Sequence, residues 1–257
     1  MYDQIARYYQ LTHADLTEDF SFWHELIASL GTHVLELGCG SGRLLPHLAK
    51  KAHFVHGVDV SAPMLTLAKE TIAQLPIPLQ ERITLTDADM SQLDLPWAND
   101  TFHLIGIPYN TFLHLDTVAA TQTLKRIRPY FAENGRLFID IINPFFIAET
   151  PSDSTLLLEE TFHNPDSDET VLQFAANQLD ADSQTLKITW VFDATPTQGG
   201  AVQRTVSTMA YHYRYPHQLQ LLFQECGYQP LEQFGDYDRS PFNEDSPRLL
   251  LIAEPVR

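Results

Sequence analysis

The chain predicts an α/β protein whose mostly parallel sheet is interrupted late by an antiparallel β insertion. Three observations carry this. Short apolar runs alternate with helical segments from residue 34 to residue 142, the pattern of parallel strands joined by crossover helices. A glycine-rich turn, Gly38-Cys39-Gly40-Ser41-Gly42, directly follows the first apolar run. From about residue 156 to residue 214 the apolar residues recur with period two, as half-buried antiparallel strands require.

The first thirty residues read as helical, with Phe20, Trp23, Ile27 and Leu30 at helical spacing and Gly31 placed to stop the helix. Val34 to Leu37 forms the first strand, and a helix is expected from about Arg43 to Lys51. The second strand, Phe54 to Val58, ends at Asp59; Ser61 then offers an N-cap and Pro63 a first-turn residue for a helix reaching about Gln74. Ile83 to Leu85 and Phe102 to Ile107 are the third and fourth strands. Asp116 caps a helix whose apolar stripe is Ala120, Leu124, Ile127 and Phe131, and Asn134-Gly135 turns the chain into a fifth strand, Leu137 to Ile142. Within the period-two block, Leu186, Ile188, Trp190 and Phe192 alternate with Lys187, Thr189 and Val191, and Pro196 to Gly200 is a turn. Helical spacing returns at Leu219, Leu222, Phe223 and Cys226, stopped by Gly227, before strand-like runs at Tyr228 to Phe234 and Arg248 to Ala253.

Composition narrows the function. The 257 residues are 44% hydrophobic and 19% charged, enough to bury one sizeable core. The net charge of −17 repels a phosphate backbone, so neither nucleic acid nor an anionic membrane surface is an expected partner. No apolar segment approaches the roughly 20 residues of a membrane span, and the N-terminal residues lack the basic and apolar stretches of a signal peptide. The two cysteines, Cys39 and Cys226, suit a reducing compartment. A soluble cytoplasmic protein is expected.

A strand, a Gly-x-Gly-x-Gly turn and a helix N-terminus together form a nucleotide-binding device, because glycine lets the backbone approach a ligand closely. The dinucleotide fingerprint Gly-x-Gly-x-x-Gly is not met: Arg43 and Leu45 stand where its third glycine belongs. A zwitterionic methionine tail needs the close approach without a diphosphate cradle. Asp59, at the end of the second strand, can accept both ribose hydroxyls, and Ser61 relieves it of the capping role. Asp89, at the end of the third strand, can accept from an adenine amino group, with Met64 or Met90 against the ring.

These residues resemble the class I S-adenosylmethionine-dependent methyltransferases. Glu36 to Arg43 is similar to their cofactor loop, Val58-Asp59-Val60-Ser61 to their ribose motif, and Asp89-Met90 to their adenine motif. Tyr2-Asp3, Tyr8-Tyr9, Pro108 to Leu115, Glu133 to Leu137 and Gly235-Asp236-Tyr237-Asp238 resemble a small-molecule subgroup similar to glycine and amino-sugar N-methyltransferases. Gln10 departs from it, since the subgroup often has Asp there. The resemblance implies a Rossmann-like sheet of seven strands, mostly parallel with the last antiparallel, and S-adenosylmethionine as cofactor. It implies a cofactor shell of Glu36, Gly38, Cys39, Gly40, Gly42, Asp59, Val60, Met64, Asp89, Met90 and Pro108. The change of periodicity divides the chain into N-terminal helices and cofactor-binding core (1–150), a β-rich insertion expected over the active site (151–214), which matches the family in position and pattern only, and the closing helix and strands (215–257).

Methyl transfer from a sulfonium is an in-line displacement with a good leaving group. Alignment and exclusion of water do most of the catalysis, and such positioning supplies up to about 7–11 kcal/mol. A base helps a hydroxyl acceptor and is optional for an amine arriving neutral. Tyr9 is a candidate to cover the cofactor and point a hydroxyl at the nucleophile. Asn110 is a candidate to hold a polar group of the substrate, and His114 to act as general base. Tyr109, Tyr213 and Arg214 are substrate-binding candidates. In the run Tyr211 to Tyr215 the tyrosines share one strand face, with His212 and Arg214 on the other, where Arg214 suits a substrate carboxylate. Each of these residues also has an ordinary packing or turn role open to it. No metal site is expected, for want of His-x3-His or Cys-x2-Cys spacing. The expected activity is methyl transfer to a small molecule, an amine favoured over a hydroxyl. The alternatives are O-methylation, transfer of another part of the cofactor, and cofactor binding without turnover. An NAD-dependent dehydrogenase loses support with the third glycine. The oligomeric state is left open, a homodimer included.

Overall fold

In the computed structural model, which describes residues 2–13 and 15–256, the N-terminal segment forms a 3-10 turn at Tyr2–Gln4, helix α1 at Ala6–His13 and helix α2 at Phe20–Leu30. The helical opening is thus broken into pieces rather than continuous. The stripe of α2 buries Phe22, Trp23, Leu26 and Ile27. Gly31 ends it at φ 139°, where a Cβ would also strike the His103 ring at 2.5 Å.

The α/β alternation follows: β1 (His33–Leu37), α3 (Leu45–Ala49), β2 (Phe54–Asp59), α4 (Ala62–Ala73), α5 (Ile77–Gln80), β3 (Ile83–Asp87), β4 (Phe102–Ile107), α6 (Thr117–Ile127) and β5 (Phe131–Ile142). The caps are where the side chains predict them. Ser61 Oγ accepts from Met64 N at 3.4 Å, and Asp116 accepts from Ala119 N at 2.8 Å. Three boundaries differ. Helix α3 is shorter than expected because the turn still occupies Gly42, at φ 80°. Phe131 opens β5 instead of closing the α6 stripe, since Pro129 in the 3-10 turn Arg128–Tyr130 cannot continue a helix. Asn134-Gly135 lies inside β5, where Asn134 at φ 59° accompanies a shift of register against β4.

The remaining elements are α7 (Pro144–Ala148), β6 (Leu157–Asn164), β7 (Glu169–Asp180), β8 (Thr185–Pro196), β9 (Gln203–His212), α8 (Pro216–Glu225), β10 (Tyr228–Phe234) and β11 (Arg248–Pro255). The main sheet has seven strands in the order β10-β11-β5-β4-β1-β2-β3. Strand β11 is antiparallel to both of its neighbours, and the pairs among β1 to β5 are parallel. The last strand is therefore the antiparallel one, as expected. Strands β6 to β9 form a separate four-stranded antiparallel sheet.

Buried parallel strands send alternate side chains to opposite faces. Ile105 and Ile107 of β4 with Ile139 and Ile141 of β5 join Leu124 and Phe223 on one face. Leu104 and Phe138 join Trp23, Leu45 and Leu48 on the other. Gly106 lets α2 approach this second face: a Cβ there would lie 2.0 Å from the Trp23 ring. The smaller sheet packs one face over the N-terminal segment, where Ile5 is buried with Val171, Phe192 and Ala194. Tyr8 stacks on Phe192 with ring centroids 4.9 Å apart, and Arg7 pairs with Asp166. The N-terminal helix is thereby held between the insertion and the carboxyl ends of the parallel strands. No helix among the described residues is long and apolar enough to cross a membrane.

Candidate active site

The glycine turn leaves β1 with Gly38, Gly40 and Gly42 at φ 75°, 53° and 80°, in the left-handed region that glycine enters without penalty. Gly38 N and Cys39 N both donate to Val58 O, at 2.7 and 3.0 Å. A Cβ on Gly38 would lie 2.2 Å from Thr111, whereas one on Gly40 would meet nothing within 4 Å. Gly38 is therefore required by packing against the protein, and Gly40 faces open space. The Gly40 N–H donates to Asp59 Oδ2 at 2.7 Å, and Ser61 N donates to Oδ1 at 2.9 Å. These bonds fix the Asp59 carboxylate beside the turn, at the end of β2. Its neighbour Val60 is exposed and Met64 is buried.

Glu36 is buried in β1, and its Oε2 has no hydrogen-bond partner among the described residues. Burial raises its carboxyl pKa well above the usual range, with Arg43 opposing the shift. An unpartnered buried carboxylate oxygen is costly unless something answers it. It lines a narrow cleft of about 50 Å³ together with Tyr9, His13, Gly38, Cys39, Gly40, Arg43, Pro108, Tyr109 and Thr111. An α-ammonium group suits this oxygen, ribose hydroxyls suit Asp59, and the open face of Gly40 admits the chain between them. The residues present fit S-adenosylmethionine. Asp89 caps the 3-10 turn Met90–Gln92, its Oδ1 accepting from both N and Oγ of Ser91 at 2.8 Å. Binding an ammonium beside Glu36 favours its ionised form, so binding of S-adenosylhomocysteine at mildly acidic pH should release a proton. Calorimetry in buffers of different ionisation enthalpy should show that release in the wild type and not in Glu36→Gln. Equal proton release in both would remove Glu36 from this role.

Beyond the cleft, aromatic rings form a continuous wall. Tyr211 of β9 meets His114 at 5.1 Å, His114 meets Tyr2 at 5.5 Å, and Tyr2 meets Tyr9 at 5.1 Å. Tyr9 stacks on His13 at 3.8 Å, and His13 meets Tyr109 edge-on at 5.9 Å. The Tyr2 hydroxyl and His114 Nε2 share a hydrogen bond of 3.0 Å. Burial pushes the imidazoles of His13 and His114 down to about 4, and the Tyr211 hydroxyl up to about 12. Every titratable member of this wall is neutral near pH 7.

Tyr109 and Asn110 follow β4 with φ 46° and 71°. Left-handed backbone costs a non-glycine residue about 1–3 kcal/mol, so the surroundings must hold it. Asp140 of β5, fully buried, does so: its Oδ2 accepts from Tyr109 N at 3.1 Å and its carbonyl from Asn110 N at 2.9 Å. The Asn110 side-chain oxygen accepts from Ile142 N at 2.6 Å. Arg248 Nε donates to Asp140 Oδ1 at 2.5 Å, and the Tyr237 hydroxyl to Oδ2 at 2.8 Å.

Tyr213 and Arg214 sit elsewhere. Strand β9 ends at His212, so the alternation stops there, and Tyr213 packs in the core with Leu186 and Leu219. The Arg214 guanidinium donates to the carbonyls of Leu115 and His212, at 2.9 and 3.2 Å, and lies 5.7 Å over the Phe112 ring. Tyr211 is the tyrosine of that run in ring contact with His114. Tyr2 belongs to the segment that resembles the small-molecule subgroup and Tyr211 to the run of tyrosines, whereas His13, Asp140 and Arg248 are not among the residues expected at the site. His13 stands four residues after Tyr9 on the same helix face, and Asp140 is an acid inside an apolar strand; both signals were available.

The family described as a methyltransferase domain matches residues 34–135. An uncharacterized methyltransferase of Anoxybacillus flavithermus is 30% identical over 112 residues, 44% of this chain and 48% of that protein. The chain thus spans about half the length of that relative. Among solved structures, the CcbJ methyltransferase of Streptomyces caelestis superposes with TM-score 0.76 and 22% identity, over 94% of this chain and 91% of that one. CalS10, an amino pentose methyltransferase of Micromonospora echinaspora, superposes with TM-score 0.70 and 16% identity, over 97% and 96%. At such identities the likeness is one of fold. Residues 34–135 match a methyltransferase domain, and the chain with its seven-stranded sheet has the fold of these methyltransferase structures.

Proposed function

We propose that this chain methylates the neutral nitrogen of a small amine. The observation that carries the reading is the character of the acceptor wall. A hydroxyl acceptor needs a base to take its proton, and His114, pushed down to about 4 and hydrogen-bonded to Tyr2, is a poor one. An amine that enters unprotonated needs none. The CalS10 likeness, to an amino pentose methyltransferase, supports the same choice.

When bound, S-adenosylmethionine supplies an electrophilic methyl group on a good leaving group. Glu36, Asp59 and the Gly38–Gly42 turn hold the donor, with Pro108 beside Glu36 in the cleft and Val60, Met64, Asp89 and Met90 around the adenosine. Tyr9 and His13 cover the cleft and exclude water. Tyr109, Tyr211 and His114 confine the acceptor, and Asn110 braces their loop against β5 through its side-chain oxygen on Ile142 N. The proton that the methylated nitrogen carries afterwards passes to solvent.

The test is formation of S-adenosylhomocysteine from S-adenosylmethionine across matched panels of small amines, phenols and alcohols. Turnover with amines that rises with pH as the free base accumulates is the expected result. Turnover confined to hydroxyl acceptors would overturn the nitrogen assignment. Tight binding of the cofactor with no acceptor accepted would favour a binding protein instead.

A further inference from the structure

The late segment Gly235-Asp236-Tyr237-Asp238 has no part in the cofactor shell, yet its tyrosine reaches the site from below. Tyr237 Oη and Arg248 Nε take opposite oxygens of the buried Asp140 carboxylate, at 2.8 and 2.5 Å. Asp140 in turn receives the backbone N–H of Tyr109 at 3.1 Å. A second strand of the same brace runs through Asn110, whose side-chain oxygen takes Ile142 N at 2.6 Å and faces Arg248 Nη2 at 3.5 Å. The outcome is a pair of left-handed, non-glycine residues fixed at the mouth of the cleft. The Tyr109 ring is clasped between two guanidiniums, Arg43 at 5.2 Å and Arg248 at 5.0 Å from its centroid. Arg43 is engaged by Asp19 and Arg248 by Asp140, so neither cation is left over for a substrate anion.

We propose that Asp140 is a positioning residue for methyl transfer, acting through the backbone of Tyr109 and Asn110, with Tyr237 and Arg248 locking its carboxylate. This deepens the methyltransferase reading and rests on it. Strained backbone at a site is retained where geometry matters, and a misplacement of about 1 Å can cost about 100-fold in rate. None of Asp140, Tyr237 or Arg248 lines the cofactor cleft. Their loss should therefore fall on turnover rather than on cofactor affinity.

The test uses Asp140→Asn and, as a milder variant that keeps the ion pair, Tyr237→Phe. Three quantities are read: S-adenosylhomocysteine affinity, kcat and KM with an accepted amine, and amide hydrogen exchange over 106–115. Asp140→Asn should lower kcat by about 100-fold, hold S-adenosylhomocysteine affinity within about 3-fold, and speed exchange at Tyr109 and Asn110. Tyr237→Phe should move all three in the same direction by smaller amounts. Unchanged kcat in a variant whose local exchange has risen would overturn the proposal. So would a kcat loss matched by an equal loss of cofactor affinity. If wild type binds no S-adenosylhomocysteine, the methyltransferase reading fails, while the exchange data still report on the brace.

Discussion

Asp59→Ala should weaken S-adenosylhomocysteine binding by about 100-fold in calorimetry. Hydrogen bonds to a charged group contribute about 1.5–3 kcal/mol each, and each 1.4 kcal/mol is about tenfold. A carboxylate accepting two ribose hydroxyls thus accounts for at least that loss. The side chain also organises the turn, because Gly40 N and Ser61 N both donate to it, at 2.7 and 2.9 Å. Asp59→Asn separates the two contributions. Asparagine keeps the shape and one acceptor, so it should lose about tenfold by the same arithmetic. Both variants should stay folded, since Asp59 lies at a strand end and only partly buried. Wild-type affinity in a folded Asp59→Ala would mean that the ribose is held by other residues.

The legible parts of this molecule are those whose signal is local. A strand, five residues of glycine-rich turn and a capped helix announce themselves within β1 to α4, because φ above zero and an N-cap are properties of single residues. The last strand's reversed direction came through resemblance, and the sheet bears it out. What escaped depends on distant partners. Asp140 and Arg248 are 108 residues apart, and nothing near either names the other. Alternation could not separate Tyr211 from Tyr213, because the chain leaves the strand at His212 and Tyr213 N turns to Gln184 O. Asn110 reads as a turn residue, which it is at φ 71°. That its side chain ties β5 is visible only once β5 lies beside it.

The largest stability effect is expected at Arg43, a residue that the glycine motif carries but does not explain. Its guanidinium donates to both oxygens of Asp19, at 2.8 and 2.7 Å, and to Leu16 O at 2.7 Å. Asp19 is fully buried. Removing one partner of such a pair leaves an uncompensated charge in the interior and costs about 3–5 kcal/mol. Arg43→Ala should lower the urea midpoint accordingly. Arg43→Ala with Asp19→Ala together should cost less than the sum of the two, since the second change removes the stranded charge. Arg204 is the control: its pair with Asp193 is short, at 2.6 Å, but Arg204 lies out in solvent. Arg204→Ala should leave the midpoint unchanged within error. The consequence for the site follows from geometry. Arg43 is the pin between the cofactor turn, the residues joining α1 to α2, and the Tyr109 ring, so its loss should also slow methyl transfer below the unfolding midpoint. If Arg43→Ala costs no more than Arg204→Ala, then water or a rearranged Asp19 satisfies the carboxylate, and the pin lies elsewhere.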